Sequence, residues 1–195
     1  MLDLSKASLV GKGSSRLCYV HPEDDRKCVK VIYTRRHEIN PVEMKHYRRF
    51  QRRHVSWELM ARPYGFVETS EGDGVVFSLA RDYDGEISKP LEHYLSSGSS
   101  RDYQKQIRAA LKEFKSFLFM DAIVVRELKL DNVLFQRISE VRGRLVLIDG
   151  VGNNQFLPLA NYSRTFARRM LRRKWKQFEA DKQVRIYSLI SPYTQ

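Results

Sequence analysis

Between Leu9 and Leu79 the chain is cut by turn residues into five short β-prone runs, and this pattern restricts its first half more than any other feature. The runs are Leu9-Val10, Arg16 to Val20, Cys28 to Tyr33, Tyr64 to Thr69 and Val75 to Leu79. His21-Pro22-Glu23-Asp24-Asp25-Arg26 separates the second from the third, and Ser70-Glu71-Gly72-Asp73-Gly74 separates the last two. Both connectors are rich in residues that favour tight turns, so each pair reads as a hairpin with antiparallel strands. One helix interrupts the series. Asn40-Pro41-Val42-Glu43 offers a cap residue, proline at the first helical position and glutamate at the third. The spacing predicts a helix to about Val55, with Glu43, Tyr47, Phe50 and His54 on one face.

The second half is organised differently. Tyr103, Ile107, Ala110, Leu111, Phe114, Phe117 and Leu118 form one stripe at helical spacing over residues 101 to 120. Short strands are expected at Ile123-Val125, Val133-Phe135 and Leu145-Ile148. Residues 161 to 184 read as a further helix, apolar at Ala167, Leu171, Trp175 and Phe178 and basic at Arg168, Arg169, Arg172, Arg173 and Lys176. Strands followed by helices, without βαβ alternation, place the chain in the α+β class. Asp82-Tyr83-Asp84-Gly85 and the serine-rich run 96–100 are the linker-like stretches, and both are short.

Composition excludes several classes. No apolar run approaches the ~18 residues of a membrane-spanning helix, and the start of the chain lacks an apolar signal segment. Cys18 and Cys28 are the two cysteines in 195 residues, too few for a disulfide scaffold and without zinc-site spacing. They sit symmetrically about the first turn and are read as small strand residues, and a cytoplasmic location is expected. A net charge of +12 favours anionic partners without choosing among nucleotides, nucleic acid, phosphates and acidic membrane surfaces.

Three motifs carry possible chemistry. Val10-Gly11-Lys12-Gly13-Ser14-Ser15 lies between strands, which fails the Walker and Rossmann patterns because both require a helix next. Such a turn can fold over nucleotide phosphates, or it can be a β-turn needing positive φ. Lys30, alone in the apolar strand Val29-Lys30-Val31-Ile32, either snorkels or reaches phosphate oxygens. Glu43 could pair with Lys30 or close a capping box on Asn40. The most informative stretch runs from Val125 to Phe135, with Glu127, Lys129 and Asn132 between apolar strands, followed by Leu145-Val146-Leu147-Ile148-Asp149-Gly150. Phosphoryl transfer uses such parts: a carboxylate to take the acceptor's proton, a lysine to balance phosphate charge, and an amide oxygen with a second carboxylate for Mg²⁺.

In this order the chain resembles the protein-kinase-like superfamily. Within it, Tyr64 to Thr69, Gly72-Asp73-Gly74-Val75-Val76-Phe77 and Arg81-Asp82-Tyr83-Asp84-Gly85 to Ser88 are similar to the bacterial PhoP-regulatory-network (YrbL-like) family. The resemblance implies a small two-lobed fold, with residues 1–82 as an N-lobe of antiparallel sheet plus one helix. Residues 83–195 would form a reduced, helical C-lobe carrying the catalytic loop. It implies ATP and Mg²⁺ as cofactors, bound in the cleft between lobes. Gly11 and Gly13 would close over the phosphates, Lys30 would meet them and pair with Glu43, and residues near Ser78 to Asp82 would form the adenine hinge. Glu127 would stand at the catalytic-base position with Lys129 beside the transferred phosphate, and Asn132 and Asp149 would ligate Mg²⁺.

The sequence departs from the kinase pattern at identifiable points. Val125 stands where the catalytic-loop histidine is expected, Glu127 where aspartate is, and Arg16 where the third loop glycine is. Gly150 follows Asp149 directly, and no Ala-Pro-Glu segment is present. Three functions are therefore expected in this order. The first is a phosphotransferase acting on a protein or small-molecule hydroxyl, the second a pseudokinase serving as a nucleotide-binding regulatory module. The third is a basic nucleic-acid binder, for which no recognition motif is found. The basic tail is an alternative grip for an acidic substrate.

Overall fold

The computed structural model describes residues 1–35, 38–96, 100–152, 160 and 163–180. It is an α+β structure with two antiparallel sheets and, among the described residues, four α-helices. The chain divides into two compact units, Met1–Trp57 with Ala61–Ala80, and Glu58–Met60 with Arg81–Gln195.

The first unit is built on β1 (Leu9–Lys12), β2 (Arg16–His21), β3 (Asp24–Ile32), β4 (Pro63–Thr69) and β5 (Gly72–Ser78), in sheet order β1-β2-β3-β5-β4. The first hairpin is tighter than its Asp-rich connector suggests. His21 pairs with Asp24, so Asp24 to Lys27 lie in β3 and the turn is Pro22-Glu23. Alternation along β3 then separates two faces. Val29 and Val31 pack with Leu4 and Val76 on one face. Cys28 and Lys30 belong to the other, together with their cross-strand partners Phe77 and Cys18.

Helix α1 (Ile39–Arg52) covers that second face, with Tyr47 5.3 Å from Phe77 between ring centroids. It differs from the sequence expectation at both ends. Glu38 is the N-cap residue, and Asn40 lies inside the helix, where its Oδ1 accepts a 3.3 Å hydrogen bond from Arg16 Nη1 instead of capping. The helix stops at Arg52 because His54 takes a left-handed conformation, φ 53°. The Val55 amide turns back to the Phe50 carbonyl, which satisfies a carbonyl that the helix leaves open. His54 is consequently exposed rather than aligned with Tyr47 and Phe50.

The second unit contains a small sheet ordered β6-β7-β8, formed by β6 (Lys89–Pro90), β7 (Val133–Arg137) and β8 (Gly143–Leu147). Its helices are α2 (Leu91–Ser96), α3 (Ser100–Met120) and α4 (Arg164–Ala180). Ile107, Ala110, Leu111, Phe114 and Leu118 of α3 are buried, as helical spacing predicts. Ala167, Leu171, Trp175 and Phe178 are the predicted apolar side of α4 and are likewise buried. The rest of the predicted tail helix, residues 161–162 and 181–184, lies outside the described residues. Ile123-Val125 is not a strand; Val125 makes a single bridge to Val151. Among the described residues no helix is long and apolar enough to cross a membrane.

Candidate functional site

In the first unit the pleat sets two of the expected nucleotide-binding residues, Gly11 and Lys30, in a row with Cys18. Gly11 pairs with Cys18 and Cys18 with Lys30, so all three point to the same side of the sheet. Lys30 does not snorkel. It is 7% exposed, and its ammonium lies 4.8 Å from the centroid of the Phe77 ring, a favourable cation–π position. Neither Gly11 nor Gly13 has positive φ, so the reading of this loop as a turn that needs it is not met. A side chain at Gly11 would have nothing within 4 Å. The fold itself thus makes no demand for glycine at position 11.

Glu43 is buried on α1 and its Oε2 is ion-paired with the guanidinium of Arg16. Nη1 of Arg16 serves both Glu43 and Asn40, so a single arginine gathers the two helix residues expected to form a capping box. The other carboxylate oxygen, Glu43 Oε1, is buried without a hydrogen bond. Arg16 is the residue that sequence reasoning passed over, since it registered only as a missing glycine. The available signal was phase: Arg16 and Lys30 both fall on the face of the hairpin that receives α1.

Beside the same row, burial and a hydrogen bond with Cys18 hold the Cys28 thiol well above its ordinary pKa, the hydrogen bond being the larger cause. Neither cysteine is in a disulfide. Cys28 sits two pairs along from Cys18, opposite Val20, so the two are diagonal neighbours on one face.

In the second unit Glu127, Lys129, Asn132 and Asp149 are brought together by backbone contacts. Leu130–Asn132 form a 3-10 turn directly before β7. The Gly150 carbonyl accepts the amides of Arg126 (2.7 Å) and Glu127 (3.2 Å), while the Asn132 carbonyl accepts the amide of Ile148 (2.9 Å). Asp149 Oδ1 accepts from the Gly150 amide at 2.6 Å, which fixes that carboxylate. Gly150 has φ +80°, and a Cβ there would lie 2.0 Å from the Glu127 carbonyl oxygen and 3.1 Å from Asn132 Nδ2. Glycine is therefore required where the two segments meet.

Two of the side chains at this join, Glu127 and Lys129, are accessible. Lys129 Nζ lies 3.0 Å from Glu127 Oε2, with 60% and 45% of the two side chains exposed. The hydrogen bond and charge of Glu127 raise the Lys129 pKa above its ordinary value. An exposed pair of this kind contributes only ~0–1 kcal/mol. An incoming hydroxyl or phosphate can therefore compete for either partner. Next to the pair is a cavity of about 540 Å³, whose wall includes Glu127, Lys129, Asp131, Glu92 and, from α4, Lys174 and Phe178. The sequence divides α4 into an apolar side and a basic side and does not reveal this contribution.

Two further predicted features have structural duties. Asp82, in the segment expected to form the hinge, is buried and accepts from Ser88 Oγ (2.6 Å), Arg137 Nε (2.6 Å) and the Arg137 amide (3.0 Å). Arg168 of the basic tail donates from Nε to the Phe119 carbonyl at 2.9 Å, satisfying the open end of α3.

Among the described residues no group of three or more His, Cys, Asp or Glu side chains could hold a metal ion. Asn132 and Asp149 nevertheless offer hard oxygen donors of the type Mg²⁺ takes, and that ion commonly uses one or two protein ligands with waters and phosphates completing its shell.

A model of the family described as "PhoP regulatory network protein YrbL" matches residues 2–183. The chain is 36% identical over 184 residues to a YrbL protein of Escherichia coli (strain K12), covering 92% of this chain and 87% of that relative. A YrbL protein of Shigella flexneri matches with the same identity and coverage.

Proposed function

The chain belongs to the YrbL family of PhoP-regulatory-network proteins, and we propose that it is an ATP- and Mg²⁺-dependent phosphotransferase of the kinase-like type acting on a hydroxyl group. One observation carries the reading: the Glu127/Lys129/Asn132 segment and Asp149-Gly150 are joined by three backbone hydrogen bonds and a contact only glycine permits. Two segments separated by up to 22 positions of sequence are thereby held side by side, with Glu127 and Lys129 accessible at the join. The five-stranded antiparallel unit with one inserted helix supports the kinase-like fold, and the buried Lys30 on the helix-covered face supports nucleotide binding.

In this reading Glu127 accepts the proton of the acceptor hydroxyl and Lys129 balances charge on the transferred phosphoryl group. Asn132 and Asp149 would hold Mg²⁺, which when bound neutralises phosphate charge. Gly11, Gly13 and Lys30 serve the nucleotide phosphates. Arg16, rather than an additional glycine, anchors Glu43 and so fixes the attachment of α1 to the sheet.

Thermal unfolding with ATP, Mg²⁺, both and neither tests the nucleotide step. Ligand at a hundred times its Kd adds ~2.7 kcal/mol. The expected result is a shift that requires Mg²⁺ in the wild type and is lost in Asp149→Ala. Glu127→Gln should keep the shift and lose phosphate transfer. No shift in folded wild-type protein would end this reading. A nucleotide-binding regulatory module without transfer is the second reading. The specific observation favouring it is that Glu127 is engaged by Lys129 of its own loop, and it predicts a shift with no turnover in either form.

A further inference from the structure

The charges around the cavity beside Glu127 are unequal in their need for a partner. Glu127 is matched by Lys129, and Glu92 and Asp131 are exposed, where water solvates them at little cost. Lys174 is half-buried and, among the described residues, is paired with no carboxylate. Its position is well determined by its neighbours. Trp175, the next residue, is buried with ring centroids 6.4 Å from Phe114 and 5.4 Å from Phe178, and Glu179 is paired with Lys115 at 3.2 Å. The helix that ties itself to α3 through Trp175–Phe114 and Glu179–Lys115 thereby holds at the wall of the cavity a cation with no ion pair among the described residues. Such a group gains most from an anionic ligand, because partial burial strengthens the interaction while water competes less.

We infer that this cavity is the acceptor site and that Lys174 selects a small hydroxyl compound bearing one anionic group, a carboxylate or a phosphate. The inference rests on the phosphotransferase reading for its chemistry and on Lys174 for its selectivity. The size supports it, since about 540 Å³ falls among small-molecule sites, roughly 300–1,000 Å³. Glu92 and Asp131, which also line the cavity, argue against a polyanion, whose further charges would meet these carboxylates. In the transfer step the acceptor oxygen bonds to the γ-phosphorus of ATP as the bond from that phosphorus to the β,γ-bridging oxygen breaks. ADP leaves with that electron pair, the hydroxyl proton passes to Glu127, and the acceptor departs as its phosphate ester.

The probes are glycerol 3-phosphate, glycerate and uncharged glycerol, titrated by ligand-observed NMR at constant ionic strength into the full chain. The protein is wild type, Lys174→Met and Lys174→Arg. Wild type should bind at least one of the anionic probes about ten-fold or more tighter than glycerol, with the two anions separating phosphate from carboxylate preference. Lys174→Met should erase the difference and Lys174→Arg should restore most of it. Equal binding of glycerol, unchanged affinity in Lys174→Met, or no binding of either anion by folded wild type would each overturn the proposal. The Mg²⁺-ATP thermal shift measured on the same samples keeps the two readings apart. Anion binding that depends on Lys174 without any nucleotide shift would remove the acceptor role and the phosphotransferase reading together, leaving an anion site. A nucleotide shift without Lys174-dependent anion binding would remove this inference alone.

Discussion

Arg16 and Gly150 have the largest local consequences for their size. Arg16 is 8% exposed and Glu43 6% exposed, so removing Arg16 leaves the buried Glu43 carboxylate without its ion-pair partner, at a cost of ~3–5 kcal/mol. Arg16→Met should therefore lower stability by that order in urea unfolding, whereas Arg16→Met with Glu43→Met should recover much of the loss. A double variant no more stable than the single one would contradict this account, because it would place the energy in packing rather than in the unpaired charge. At Gly150 the conflict is geometric. Alanine at φ +80° carries ~1–3 kcal/mol of backbone strain before its contact with the Glu127 carbonyl is counted. Gly150→Ala should destabilise the second unit and displace the Glu127 segment, visible as lost amide-exchange protection at Arg126 and Glu127. Unchanged protection there would mean that the two segments can separate without consequence.

At the level of elements, the loop between β1 and β2 makes the clearest separation between folding and function. Because nothing lies within 4 Å of a Cβ at Gly11, and its φ is ordinary, alanine is compatible with the folded chain. Gly11→Ala should leave the unfolding free energy unchanged or raise it by less than ~1 kcal/mol, while reducing the Mg²⁺-ATP thermal shift. A loss of stability would show that the glycine is there for the fold. Strands were largely legible here because period-2 runs bounded by Pro, Gly and Asp leave few alternatives, and the buried stripe of α3 was legible from its 3.6-residue spacing. The start of α1 was not. Asn40-Pro41-Val42-Glu43 has good capping chemistry locally, but a buried arginine from another element claims both polar side chains. The last turn failed for a related reason: periodicity continues through His54, and only backbone conformation reveals the left-handed residue that ends the helix. For the candidate site, Glu127, Lys129, Asn132 and Asp149 were legible as an ordered set. Lys174 was not, because which side of a basic helix faces a cavity depends on where Trp175 packs.

For the molecule as a whole, the excess of positive charge is a poor guide to function, since individual cations have distinct duties. Arg168 closes the C-terminus of α3, Arg137 binds Asp82 and Asp84, and Arg144 lies 3.0 Å from Glu58. Neutralising a block of arginines would therefore perturb packing along with charge. The division into two units yields a sharper expectation. Asp82 stands at the start of the second unit's longer segment and is the common acceptor for Ser88 and for the backbone and side chain of Arg137. Asp82→Ala leaves the Arg137 guanidinium, 19% exposed, without its more buried partner, and should cost about 3 kcal/mol. Because each unit has its own core, the loss should be local, and native-state hydrogen exchange distinguishes the possibilities. Amides of residues 82–90 and of β7 should lose protection, whereas those of β2, β3 and β5 should keep theirs. Equal loss throughout would mean that the chain unfolds as one cooperative body, and the two compact units would then describe geometry without describing stability.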